Sequence, residues 1–125
     1  MATVLTNVGK ARMINALNGG AHTAPVHIAW GTGEGTAGAA DTTLFTEASE
    51  DRVEGTKSVQ TVNETDDTYQ VIGEIVAAGA KTITNAGLFD ADESGNMYVK
   101  GDFTGIELAE TEAIEFTFRI TQTQG

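Results

Sequence analysis

Within FDADESGNMYVKGDF, residues 89–103, the residues Asp90, Asp92, Ser94 and Gly95 stand at the first, third, fifth and sixth places of a calcium-loop spacing. Carboxylates at alternating places with a glycine at the sixth suit a hard cation, because the chain turns sharply and aims several oxygens inward. The strongest ligand of such a loop is a bidentate glutamate at the twelfth place. Counting from Asp90, that place is Gly101. The flanks TITNAGLF and MYVKGDF carry β-branched and aromatic residues at a period of two, which is strand-like and not helical. The stretch is therefore expected to be a polar hairpin turn between two strands. Asp90, Asp92 and Asn96 are the ligands if a weak, exposed cation site forms there.

Other chemistry-bearing patterns are weaker. GEGTAG, residues 33–38, matches G-x-G-x-x-G after an apolar run. A dinucleotide site needs a helix opening in the glycines and an acid at the end of a second parallel strand. Polar alternation follows instead, and no Lys-Ser/Thr pair is present for a phosphate loop. His22 and His27 are five apart around Pro25, an odd spacing that puts them on opposite faces of a strand. Glu47, Glu50, Asp51, Glu64, Asp66 and Asp67 are scattered as a solvated acidic surface and not as a placed acid–base pair. Trp30 ends an apolar run and reads as core. No nucleophile–base set has persuasive spacing, so no enzyme activity, no cofactor and no committed metal site is expected.

Composition narrows the partners. Eighteen acidic against seven basic residues give a net charge of −11. Such a surface repels phosphate backbones and anionic bilayers, so neither nucleic acid nor a membrane is an expected partner. There is no cysteine, which removes disulfides and thiolate metal sites. The first twenty residues hold no apolar run of signal-peptide length, and synthesis in a cytoplasm is expected.

The elements that carry these residues are mostly strands. Residues 7–18 read as one short helix, capped by Thr6 or Asn7 and ended by Gly19-Gly20. Val8, Ala11, Ile14 and Leu17 recur at helical spacing, with Met13 beside them, and this apolar face is expected to lie on a sheet. PVHIAWG, residues 25–31, reads as a strand, and a glycine-rich loop follows. LFTEASE, residues 44–50, fits either a helical turn or an extended segment. RVEGTKSVQTV alternates loosely and is mostly polar, like an edge or one-side-wet strand. In TYQVIGEIVAA, Tyr69, Val71, Gly73 and Ile75 share one face. In AIEFTFRITQTQ, Ile114, Phe116, Phe118 and Ile120 point one way and Glu115, Thr117, Arg119 and Thr121 the other. Six or seven strands between about 25 and 122, with sequential neighbours antiparallel, predict a mainly β fold. The expectation is an antiparallel β-sandwich or jelly-roll-like domain with one short N-terminal helix, one domain over 1–125.

The chain also resembles small virion proteins of tailed bacteriophages, of the capsid decoration (cement) or tail-fibre type. The resemblance is carried by Gly31-Thr32-Gly33, Asp41-Thr42-Thr43-Leu44, Glu47 and Arg52. It continues through Tyr69-Gln70-Val71-Ile72-Gly73, Ile83-Thr84-Asn85-Ala86-Gly87-Leu88-Phe89, Asp102-Phe103 and Ile114-Glu115-Phe116-Thr117-Phe118. It implies a structural subunit of the virion, acting in many copies on the outer capsid surface or the tail. Its implied partners are the major capsid protein or other virion subunits, and copies of itself as a dimer or trimer. The first expectation is a capsid decoration protein that binds and stabilises the outer shell; the compact chain, with no repetitive shaft, weighs toward it. The alternative is a tail or tail-fibre attachment subunit. From another class, a small calcium- or carbohydrate-binding module is the remaining alternative.

Overall fold

The computed structural model describes residues 2–123. In chain order the elements are β1 (Thr3–Leu5), α1 (Asn7–Leu17), β2 (His27–Gly31), β3 (Val53–Glu54), β4 (Thr56–Gln60), β5 (Thr68–Val76), β6 (Lys81–Phe89), β7 (Met97–Leu108) and β8 (Ala113–Thr121). They form an antiparallel β-sandwich with one short helix, as the alternation predicts. One sheet has the order β1-β7-β6-β2-β3 and the other β4-β5-β8. Every pairing is antiparallel.

The alternating strands place the core between the sheets. Ile28 and Trp30 of β2, Val71 and Ile75 of β5, Ile83 and Leu88 of β6, Val99 of β7, and Phe118 and Ile120 of β8 form one buried cluster. Trp30 meets Phe116 edge-on across the two sheets, with ring centroids 6.4 Å apart. Each large apolar side chain buried here contributes roughly 1.5–3 kcal/mol. Trp30 is core, as its place in the apolar run predicts, and its indole N–H is satisfied by Glu50 at 2.9 Å.

Three expectations about elements are corrected. RVEGTKSVQTV is not one strand. It breaks at Gly55, and its halves join different sheets: β3 pairs with β2 while β4 pairs with β5. Residues 3–5, which carried no strand signal, form β1 on the edge of β7. PVHIAWG starts its strand at His27, because Pro25 has no N–H for a ladder. Of the two readings of LFTEASE the extended one holds: it runs antiparallel beside β2, bridging Gly31 to Glu47, with Thr32 N–H donating to the Thr46 carbonyl and Ala48 N–H to the Trp30 carbonyl.

The helix forms where predicted but shows a partly different face. Thr6 caps it, accepting from Gly9 N–H at 3.0 Å and donating to the Met97 carbonyl of β7 at 2.5 Å. The contact with β7 is made through Gly9, where a Cβ would stand 2.9 Å from the Tyr98 Cα. Only a residue without a side chain admits that approach. The less exposed residues are Val8, Gly9, Arg12, Met13 and Ala16, so Val8 and Met13 of the expected face do turn inward. Ile14 and Leu17, expected to lie on the sheet, are 65% and 85% exposed.

The glycine-rich segment does not open a helix. It covers the outer face of the larger sheet, held by side chains of that sheet. Asn85 of β6 accepts from Phe45 N–H and donates to the Phe45 carbonyl. Asp102 of β7 accepts from Ala37 N–H at 2.7 Å. Lys100 of β7 is fully buried beneath the segment, donating to Asp41 at 2.9 Å and the Thr43 carbonyl at 2.8 Å, with its ammonium 3.3 Å from the centre of the Phe45 ring. The Gly38 N–H bond, and Lys100 after it, hold the Asp41 carboxyl below its usual range.

Candidate functional site

β6 and β7 are joined by the acidic turn, and Asp90 closes it. Its Oδ1 accepts from Asn96 N–H at 2.7 Å and its Oδ2 from the Asn96 amide at 2.9 Å. Asp90 N–H donates in turn to the Asn96 carbonyl at 3.1 Å. Ser94 and Gly95 adopt left-handed backbone with φ of 54° and 72°, the conformation that lets seven residues reverse direction. Asp90 and Asn96 thus face each other, while Asp92 is exposed at the tip. Among the described residues no group of three or more His, Asp or Glu side chains is placed to hold a metal ion. The geometry is that of a hairpin turn whose oxygens are turned onto its own backbone.

The turn is pinned to the segment before β3 by Arg52. The guanidinium binds Glu47 through two parallel bonds at 3.0 Å. It donates to the carbonyls of Ala91 and Ser94, both at 2.8 Å. Its carbon lies 3.7 Å from the centre of the Phe89 ring. A planar fork is the one side chain that can satisfy a carboxylate, two carbonyls and an aromatic face together. Around it lies a cleft of about 610 Å³, lined by Glu47, Glu50, Asp51, Asp92 and Glu93 among others.

Glu50 is the buried member of this cleft, its side chain only 6% exposed. It accepts from the Trp30 indole at 2.9 Å, from Ala78 N–H at 3.0 Å and from Lys81. Burial pushes its carboxyl up, but the bonds from Lys81, Trp30 and Ala78 together outweigh that, and its pKa falls to about 2. One carboxylate therefore ties β2, β6 and the turn between β5 and β6 together.

The histidines are not brought together as a site. His22 is exposed, its Nδ1 3.2 Å from the Gly20 carbonyl oxygen. His27 stands in β2 opposite Glu54 and Phe89.

The other feature is the open side of the sandwich. Phe103 of β7 and Phe116 and Phe118 of β8 form a row of rings with centroids 6.2–6.4 Å apart. They border a slot of about 160 Å³ together with Thr3, Val99, Thr117 and Arg119. Among the described residues β8 bonds only to β5, so its other side is an edge there. The sequence showed the alternation in β8 but not its edge position. That position follows from pairing with β5, some forty residues earlier in the chain.

Compared with known proteins, residues 4–124 match the family model described as Podophage GP4 fiber I protein gp80. No curated protein and no solved structure matches the chain.

Proposed function

Because the chain belongs to the podophage GP4 fiber I protein gp80 family, and is thereby a structural phage fibre protein, we propose that it acts at the virion tail. In this reading it is a compact subunit through which a fibre is attached or built. The observation that carries the reading is the family match, which runs through both sheets and the helix. It moves the weight from the capsid decoration role, expected first from the sequence, to the tail-fibre alternative. A sandwich stabilised by an aromatic core, an internal carboxylate hub and a pinned turn suits a part that transmits contacts and does no chemistry. Its working surfaces are sheet edges, and its partners are other virion subunits and copies of itself. The net charge of −11 keeps many such copies soluble before assembly and away from packaged nucleic acid.

Electron cryomicroscopy of intact particles, or gold-labelled antibody against this chain, tests the location. Density or label confined to the tail supports the reading. Label spread over the shell returns the protein to capsid decoration.

A further inference from the structure

The free edge of β8 carries an order of residues that fits a second copy of itself. β8 reads Ala113-Ile114-Glu115-Phe116-Thr117-Phe118-Arg119-Ile120-Thr121. Turned antiparallel about Thr117, it pairs Glu115 with Arg119, Phe116 with Phe118 and Ile114 with Ile120, with Thr117 opposite itself. Opposite charges meet twice, and apolar residues meet apolar ones. We propose that two copies of this chain associate through β8 in this register, making a six-stranded sheet β4-β5-β8-β8-β5-β4 with a two-fold axis at Thr117.

Four observations support the surface. First, β8 is the longest edge of the sandwich, with nine residues against three, two and five for β1, β3 and β4. Second, it is regular and unbroken. It holds no proline, glycine or lysine, and it keeps unbroken register with β5 from Thr68↔Thr121 to Val76↔Ala113. Soluble proteins normally protect such an edge, and an unprotected one is a template for strand addition.

Third, the charges of β8 are poorly matched inside the chain. Glu115 stands directly opposite Glu74 of β5, a like-charge pair that costs stability. Arg119 uses its Nε on Gln70 at 2.7 Å, and no carboxylate among the described residues forms an ion pair with it. The partner's Arg119 beside Glu115 corrects both mismatches at once. Fourth, the slot bordered by Phe103, Phe116 and Phe118 is also lined by Thr117 and Arg119 of this strand. β4, the other edge of the same sheet, reads Thr-Lys-Ser-Val-Gln and has no such self-match. Pairing of one surface with itself is the arrangement a closed two-fold dimer requires.

The inference concerns the chain by itself and does not depend on head or tail location. It is tested on the full chain in solution by sedimentation or light scattering. The expected mass is that of two chains. Glu115→Arg or Arg119→Glu alone places like charges opposite each other twice and weakens the dimer roughly tenfold or more. The double variant Glu115→Arg/Arg119→Glu restores it. The protein has no cysteine, so Thr117→Cys gives a single thiol per chain on the axis, within reach of its copy. Oxidation is expected to link it into covalent dimers, while Thr61→Cys in the loop before β5 stays monomeric on a non-reducing gel. Circular dichroism confirms that each variant is folded. A one-chain mass at about 100 µM overturns the inference, as does an oligomer indifferent to both single swaps or a Thr117→Cys protein that links no better than Thr61→Cys.

Discussion

Arg52 and Glu47 meet fork to fork, through two bonds of 3.0 Å, with the Arg52 side chain only 6% exposed and the Glu47 side chain 34%. The pair joins the segment that runs beside β2 to the acidic turn, because the same guanidinium also holds the Ala91 and Ser94 carbonyls. Removing it leaves two carbonyls and the Phe89 face without a partner.

Arg52→Ala is accordingly expected to cost about 3 kcal/mol, read as a lower urea midpoint. Faster hydrogen exchange is expected in residues 90–96. Arg52→Lys should recover little, since an ammonium is a point charge and cannot span the same set. Full recovery by lysine would show that charge alone matters here.

Glu50 predicts loss of stability in acid. Its pKa is about 2 in the folded chain against an ordinary 4.5. The unfolded chain therefore takes up a proton first as the pH falls. Stability from this group is complete above about pH 5 and is lost as the pH falls toward 2, by at most about 3 kcal/mol. Asp41 and Asp102 are shifted in the same direction, mainly by the N–H bonds of Gly38 and Ala37. Urea titrations between pH 7 and 3 should show the decline. It should be shallower in Glu50→Gln, which starts less stable. Trp30 fluorescence should report the change, because the indole N–H donates to this carboxylate.

Thr6 predicts a side-chain-specific helix stop. Its hydroxyl both accepts from Gly9 N–H and donates to the Met97 carbonyl in a fully buried position. Thr6→Ala should cost about 1–2 kcal/mol, whereas Thr6→Ser should keep most of it. Thermal melts of the two variants make the comparison, and equal losses would show that the methyl packing and not the hydroxyl is responsible.

Asp90 predicts a structural and not a calcium-dependent effect. Both of its oxygens are engaged by Asn96. Asp90→Ala should lower stability by about 1–2 kcal/mol with or without calcium. Calorimetric titration of the unaltered protein with calcium should give no saturable heat. A binding heat that disappears in Asp90→Ala would instead make Asp90, Asp92 and Asn96 ligands.

The sequence was a good guide wherever a residue's neighbours along the chain decide its environment. The turn at 90–96 was legible because Asp, Ser, Gly and Asn bend backbone locally. The helix was legible as a helix but not in its rotation. The rotation is seen only in the fold: a Cβ on Gly9 would stand 2.9 Å from the Tyr98 Cα of β7, while Ile14 and Leu17 face solvent. No local signal in MYVKGDF marks Lys100 as buried. The segment folded over it made it the most buried cation, with Asp41 and the Phe45 ring as its surroundings.

Alternation with a period of two fixed which face of β5 and β8 is apolar, since successive side chains on a strand point to opposite sides whatever lies next to it. The same letters said nothing about which strand lies next to it. Backbone pairing is nearly indifferent to residue type, and the choice among partners is made by the packing of the whole core. Hence the strand order, the change of sheet at Gly55 and the free edge of β8 were settled only in three dimensions. The Glu115-Phe116-Thr117-Phe118-Arg119 order was in the chain from the start, but it became a candidate surface only once the fold left that edge unpaired.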